Sequence, residues 1–298
     1  MRHVPVLRDE VVDSLQLAPG MNIVDSTLGD GGHAERILEK TAPSGRLLGI
    51  DADPESLARA KNFLYGFGDR VAYVRDNFEN LGTIVRENAF GPIHGILLDL
   101  GWSSPQFEER GRGFSFEKDE LLDMRYGKSA DTAHDILNTQ SVGALEEIFR
   151  RYGEEPLSAE IAQAIIEARG ATPLTRTSQL VESILSAYRK KLKTKKDVPW
   201  IGGLHPATKV FQALRIAVND ELGVLARVLP QAIDVLAPGG RLAVITFHSV
   251  EDRIVKHFFK DEEKRILILT KKPIVCGREE YEKNPSSRSA KLRVIEKL

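Results

Sequence analysis

The chain has 298 residues, 42% of them hydrophobic and 29% charged, which supports a buried core and one large domain or two. Its formal net charge is -1. A dedicated duplex binder is basic overall, so any nucleic-acid surface must be local. The one cysteine, Cys276, excludes an intramolecular disulfide and a multi-cysteine zinc site, and no metal is expected. No run approaches the roughly 18 apolar residues of a membrane span, and residues 1–10 lack the apolar stretch of a signal peptide, so a cytoplasmic location is expected.

Strands are predicted at residues 22–26, 46–51, 70–76 and 93–100, with helices at 33–40, 54–66 and 80–88 between them. This alternation implies an α/β fold with a doubly wound, mostly parallel sheet of Rossmann-like type. Such sheets bind ligands beyond the carboxyl ends of their strands, where Asp25, Asp51 and Asp99 stand. From about residue 107 to 203 the strands give way to helices, at 141–152, 156–168 and 177–192, with Asp131 and Thr177 as N-caps. A long helix follows from Pro206 to about Leu229, then a strand at 241–247 and a closing antiparallel pair at 266–270 and 292–296. The chain therefore divides into a sheet domain, 1–106 with 206–298, and an inserted all-helical domain, 107–205.

The segment Asp25-Ser26-Thr27-Leu28-Gly29-Asp30-Gly31-Gly32-His33 follows the first strand and opens a helix. Gly29, Gly31 and Ala34 satisfy the dinucleotide pattern, with Asp51 ending the next strand, although a glycine turn without a ligand has the same spacing. Charge separates two candidate ligands. The pyrophosphate of NAD is disfavoured beside Asp25 and Asp30, whereas S-adenosylmethionine carries a sulfonium and an ammonium that carboxylates attract. Asp51 suits the ribose hydroxyls of either. After the third strand, Phe78 either stacks on adenine or packs in the core.

Residues 96–100 form an apolar strand that runs into the polar loop Gly101-Trp102-Ser103-Ser104-Pro105-Gln106. In Rossmann-like methyltransferases this strand end faces the methyl group and its acceptor. The Asp/Asn-Pro-Pro-Tyr/Phe motif of many amino-directed enzymes is absent, and Asp99 remains as the acceptor for an amine or for the cofactor. Further blocks are His3-Val4-Pro5-Val6-Leu7, Arg112-Gly113-Phe114-Ser115-Phe116, Leu122-Asp123-Met124-Arg125 and His205-Pro206-Ala207-Thr208 leading to Phe211-Gln212-Ala213-Leu214-Arg215-Ile216. Phe247-His248-Ser249 with Glu251-Asp252-Arg253, and the run from Ser287 to Arg293, complete them.

With these blocks in order along nearly its whole length, the chain resembles the bacterial 16S ribosomal RNA cytosine-N4 methyltransferase family. The resemblance implies S-adenosyl-L-methionine as methyl donor and the exocyclic N4 of a decoding-centre cytidine as acceptor, within the small ribosomal subunit or a late assembly particle. The inserted helical domain would then recognise substrate, and no membrane is involved. By position, the family's cofactor contacts fall on Gly31, Gly32, His33, Asp51, Phe78, Asp99 and Gln106. Trp102 stands where the family usually has a small aliphatic residue, and Thr246 where Ser is common.

In that reading Asp99 is a catalytic residue, joined by a carbonyl of Leu100 or Gly101, with Trp102 or Phe114 as a stacking surface. His248, at the end of the fifth strand, is either a general base or structural, and Ser249 with Asp252 forms a helix-capping pattern. Gln212, Arg215 and Asn219 make one polar helix ridge, suited to substrate or interdomain contact or simply solvated. Six cations crowd residues 189–196 and three more lie in 288–293, as solvated loops or phosphate contacts. The alternatives are a methyltransferase acting on a protein or small molecule, an NAD-dependent oxidoreductase, and a non-catalytic ribosome assembly factor.

Overall fold

The computed structural model describes residues 5–100, 111–127 and 131–298. The segment 101–110, with Gly101, Trp102 and Gln106, lies outside the described residues. One sheet of seven strands is formed by β1 (Ile23–Asp25), β2 (Leu47–Asp51), β3 (Val71–Arg75), β4 (Ile93–Asp99), β5 (Leu236–Thr246), β6 (Ile266–Ile268) and β7 (Lys291–Lys297). Their order is β3-β2-β1-β4-β5-β7-β6. The first five are parallel, while β7 runs antiparallel to both β5 and β6. This is the Rossmann-like arrangement of a doubly wound sheet, with the order reversing between β1 and β4.

Alternate strand residues feed two apolar layers. Ile23, Leu47 and Leu97 pack on one face with α1 (Arg8–Leu15), α2 (Gly32–Lys40) and α3 (Pro54–Phe63). Val24, Leu48, Ile96 and Leu98 join the other layer, with α4 (Leu81–Glu87). Burial on both faces explains why these strands read as nearly continuous apolar runs.

The helical unit contains α5 (Ala133–Thr139), α6 (Val142–Gly153), α7 (Ser158–Ala171), α8 (Thr177–Leu192) and α9 (Thr208–Asn219). The chain then returns to the sheet through α10 (Glu221–Val235), α11 (Ser249–Asp261) and α12 (Arg278–Lys283). Leu225, Val228 and Leu229 of α10 and Val255 and Phe259 of α11 fill the second apolar layer. Among the described residues no helix is long and apolar enough to cross a membrane.

Several local expectations change. The single helix expected from Pro206 to Leu229 is two, because Asp220 adopts a left-handed conformation, φ 48°. The compact units are Met1–Trp102 with Leu222–Leu298, and Ser103–Glu221, so α9 belongs with the helices and not, as expected for residues 206–298, with the sheet. Thr132, rather than Asp131, caps α5, in a reciprocal pair with Asp135. Thr177 lies inside α8, after Arg176, and its Oγ1 donates to the carbonyl of Lys118. Helices α1 and α12 were not anticipated.

Candidate active site

The loop after β1 ties three strand ends together. Thr27 N–H donates to Asp25 Oδ1 (3.2 Å), Gly29 N–H to Asp51 Oδ2 (2.8 Å), and Asp99 N–H to Thr27 Oγ1 (2.7 Å). Asp53 N–H adds a second donor to Asp51, at 2.8 Å. Two glycines shape the turn into α2. Gly31 has φ +84°, which side chains rarely adopt, and a Cβ on Gly32 would lie 2.3 Å from Pro5 Cγ. A Cβ on Gly31 would meet Leu64 at 3.1 Å, so both glycines let the loop pack closely against its neighbours.

Asp25 is 1% exposed. Burial raises its carboxyl from 3.8 to about 7, against His33 and the Thr27 N–H, with Asp99 and Asp51 adding to the rise. Burial also raises Asp51, although the N–H groups of Asp53 and Gly29 oppose it. On α2, His33 is buried with Nε2 3.5 Å from Asp99 Oδ2. Among the described residues, Asp99 Oδ1, Ser26 Oγ and both ring nitrogens of His33 are buried without a hydrogen-bond partner. Buried polar atoms are ordinarily satisfied, so this cluster at the carboxyl ends of β1 and β4 marks a place built for a polar ligand.

The donor set suits a cationic nucleoside. Asp25, Asp51 and Asp99 converge on one end of the sheet, and a pyrophosphate there would meet like charge. Asp30 contributes less than its sequence position suggested, because Arg59 Nε holds it at 2.8 Å. Phe78 begins a short 3-10 turn, half-buried, and packs against the second apolar layer. Its neighbour Asn77 accepts from Glu79 N–H (3.0 Å).

His248 caps α11. Its Nδ1 accepts from Glu251 N–H at 3.3 Å and its Nε2 lies 3.1 Å from Glu251 Oε1, while Glu251 Oε2 accepts from Phe247 N–H at 2.9 Å. The cap is therefore His248 with Glu251, one residue before the expected Ser249 with Asp252. Asp252 instead binds Arg293 Nε (2.6 Å) and Nη2 (3.2 Å), with Lys291 Nζ at 3.5 Å. Two of the three tail cations are thus held by one buried-side carboxylate.

In the helical unit, Phe114 is buried and stacks on Tyr126, centroids 5.7 Å apart. Gln212 Nε2 donates to the Tyr152 carbonyl (3.0 Å), and Arg215 pairs with Glu221 at 2.9 Å. Asn219 donates to the carbonyls of Met124 (2.7 Å) and Arg215 (2.9 Å) and accepts from Tyr126 N–H (2.8 Å). The polar ridge read from the sequence is thus engaged inside its own unit. Sequence reasoning missed Ser26, Thr27 and Glu251; only the His-x-x-Glu spacing of the last was a readable signal.

A family model described as the MraW methylase family matches residues 1–298. The ribosomal RNA small subunit methyltransferase H of Heliobacterium mobile is 47% identical over 99% of this chain and 99% of that protein. Its namesake in Heliobacterium modesticaldum is 45% identical, covering 99% and 98%, and that of Carboxydothermus hydrogenoformans is 43% identical, covering 99% and 98%. The chain belongs to the MraW methylase family.

Proposed function

We propose that this enzyme transfers a methyl group from S-adenosyl-L-methionine to the exocyclic N4 amine of a specific decoding-centre cytidine in 16S rRNA. It acts in the cytoplasm on the small ribosomal subunit or a late assembly particle. The observation that carries the reading is Asp99 at the end of β4, with Oδ1 buried and unpartnered and Oδ2 against His33.

S-adenosyl-L-methionine, when bound, supplies an electrophilic methyl on a sulfonium. Gly31 and Gly32 shape the loop beside it, Asp51 accepts from its ribose hydroxyls, Asp25 faces its positive charge, and Phe78 borders its adenine. The amine of cytosine is a poor nucleophile because its lone pair is delocalised into the ring. Asp99 Oδ1 accepts a hydrogen bond from that N–H, which localises the lone pair on nitrogen, and the Leu100 carbonyl serves the second N–H. Alignment of this kind contributes roughly 7–11 kcal/mol in well-oriented systems. The proton released after transfer leaves to Asp99 or to water.

His33 orients Asp99 through the 3.5 Å contact, and His248 fixes the end of β5 by capping α11. Gln106 completes the cofactor contacts and Trp102 the base contacts. The target base must leave its stack to enter such a pocket, and the helical unit recognises the RNA around it. Phe114, Gln212, Arg215 and Asn219 serve this indirectly, by holding that unit in shape. The test is methyl transfer from labelled S-adenosyl-L-methionine to small subunits lacking their natural modifications, followed by nucleoside analysis. Label in N4-methylcytidine is expected; label in protein, or none in RNA, would overturn the reading.

A further inference from the structure

At the end of α8 in the helical unit, Lys190, Lys193, Lys195 and Lys196 are exposed and, among the described residues, have no ion-pair partner. Their neighbours differ: Arg189 is held by Glu182 (2.6 Å) and Lys191 by Glu160 (3.3 Å). Four residues beyond Lys196, within about 14 Å even if fully extended, stands Trp200, 68% exposed. Ile201 next to it, Leu204 four residues on and Leu192 at the end of α8 are exposed as well.

The indole is nevertheless held in place. Its ring meets the edge of His205 (centroids 6.3 Å, 84°), His205 stacks on Phe116 (4.6 Å, 15°), and Phe116 abuts Phe211 of α9 (5.6 Å, 79°). Ile201 and Leu204 exchange main-chain hydrogen bonds of 2.8 and 3.1 Å, closing a turn through Gly202 and Gly203. Ala207 N–H donates to His205 Nδ1 at 3.1 Å, fixing the ring. Burial holds His205 below its ordinary value, so this aromatic row is uncharged at neutral pH.

We propose that Trp200 and the lysines 190, 193, 195 and 196 form a platform for single-stranded RNA, an unpaired base stacking on the indole while the lysines follow the phosphates. The proposal rests on the reading of the substrate as ribosomal RNA, and names a surface on the helical unit that contacts it. A pre-oriented, exposed aromatic beside unpaired cations is what sequence-tolerant single-strand binding requires. A protein interface fits less well, because its core is depleted in lysine and would bury four like charges without partners. A duplex offers no open base face to the indole.

The full-length protein should be titrated with a single-stranded oligouridylate of about twelve nucleotides, over a range of salt, following tryptophan fluorescence and anisotropy. Trp200→Ala should weaken binding roughly 5-fold or more while leaving the salt slope unchanged, and Trp200→Phe should retain most of the affinity. Replacing the four lysines by Gln should flatten the salt slope by roughly 0.7 per lysine. Unchanged affinity and slope in both Trp200→Ala and the lysine variant would overturn the proposal. So would a change in self-association on sedimentation with RNA binding intact, which would make the face a protein interface. Methyl transfer to small subunits, measured in parallel, separates the two readings. Normal N4-methylcytidine with variants that bind RNA like the parent sinks the platform alone. Trp200-dependent binding by a protein that methylates no RNA sinks the substrate reading alone.

Discussion

Nε2 of His33, in the first turn of α2, lies 3.5 Å from Oδ2 of Asp99, the last residue of β4. Oδ1 of the same carboxylate is buried and unpartnered, so one oxygen faces the imidazole and the other is available to an amine. Asp99→Asn preserves shape but replaces half of the acceptor with a donor. Turnover should fall by at least about 100-fold, comparable to removing one preorganised electrostatic contact, with the fold unchanged by circular dichroism. His33→Ala should lower turnover less than Asp99→Asn. In the double variant the two losses should not add, because the residues act as one unit. Additive losses would separate their roles.

Asp25 makes stability and ligand binding depend on pH in opposite directions. Its folded carboxyl, raised by burial to about 7 from 3.8, keeps its proton where the unfolded chain has lost it. The stability this group contributes is complete below about pH 4 and is lost as pH rises to about 7, on the order of 4 kcal/mol in all. Asp25→Asn should flatten that fall in thermal unfolding between about pH 4 and pH 7. A cationic ligand needs the ionised form, so affinity for S-adenosyl-L-methionine by calorimetry should rise through pH 7 in the parent and not in Asp25→Asn. A flat profile in the parent would remove Asp25 from the site.

The strand-end carboxylates were legible because parallel strands buried on both faces end abruptly in a polar residue, and Asp25, Asp51 and Asp99 each close such a run. Their partners were not legible. Thr27 bridging to Asp99, and His33 reaching it, depend on β1 and β4 being neighbours, which no local pattern states. The α9–α10 break was hidden because apolar periodicity continues through it. Only the pair Asn219-Asp220, residue types that tolerate the left-handed region, hinted at a stop. At α11 two capping patterns overlap by one residue, and the buried Glu251 decides between them by also accepting from Phe247 N–H.

Gly32 should tolerate no side chain. A Cβ there would sit 2.3 Å from Pro5 Cγ, so Gly32→Ala must displace either the N-terminal segment or the loop that carries Gly31. The expected result is a loss of about 1–3 kcal/mol in stability, the usual cost of overpacking. S-adenosyl-L-methionine binding should weaken disproportionately, as read by calorimetry. Normal affinity in a destabilised Gly32→Ala protein would show that the loop is spaced for packing alone.

Asn219 satisfies three main-chain groups with one side chain, among them the carbonyl of Met124, a residue at φ 60°. Asn219→Ala leaves those groups without their partner in a half-buried setting, at a cost of about 1–3 kcal/mol. The loss belongs to the helical unit. Proteolysis should therefore quicken within Ser103–Glu221 while calorimetric binding of S-adenosyl-L-methionine stays near normal. A variant with intact stability and lost RNA methylation would instead return Asn219 to direct substrate contact.

Arg293 tests whether the cationic tail serves RNA or the fold. Its side chain is 7% exposed, and the guanidinium spans both oxygens of Asp252. Burial pushes the Asp252 carboxyl up, but Arg293, with Lys291 at 3.5 Å, more than reverses this and holds it below its ordinary value. Removing one member of such a pair strands a buried charge, at roughly 3–5 kcal/mol. Both Arg293→Gln, which leaves Asp252 with Lys291 alone, and Asp252→Asn, which leaves the buried guanidinium without a counter-charge, should therefore lower the unfolding midpoint sharply. Neither change should alter the salt slope of RNA binding at a temperature where the variants are folded, since a guanidinium already committed to Asp252 releases no counterion from a phosphate. A slope reduced by about one in a folded Arg293→Gln protein would show the opposite, that the arginine leaves Asp252 to meet RNA.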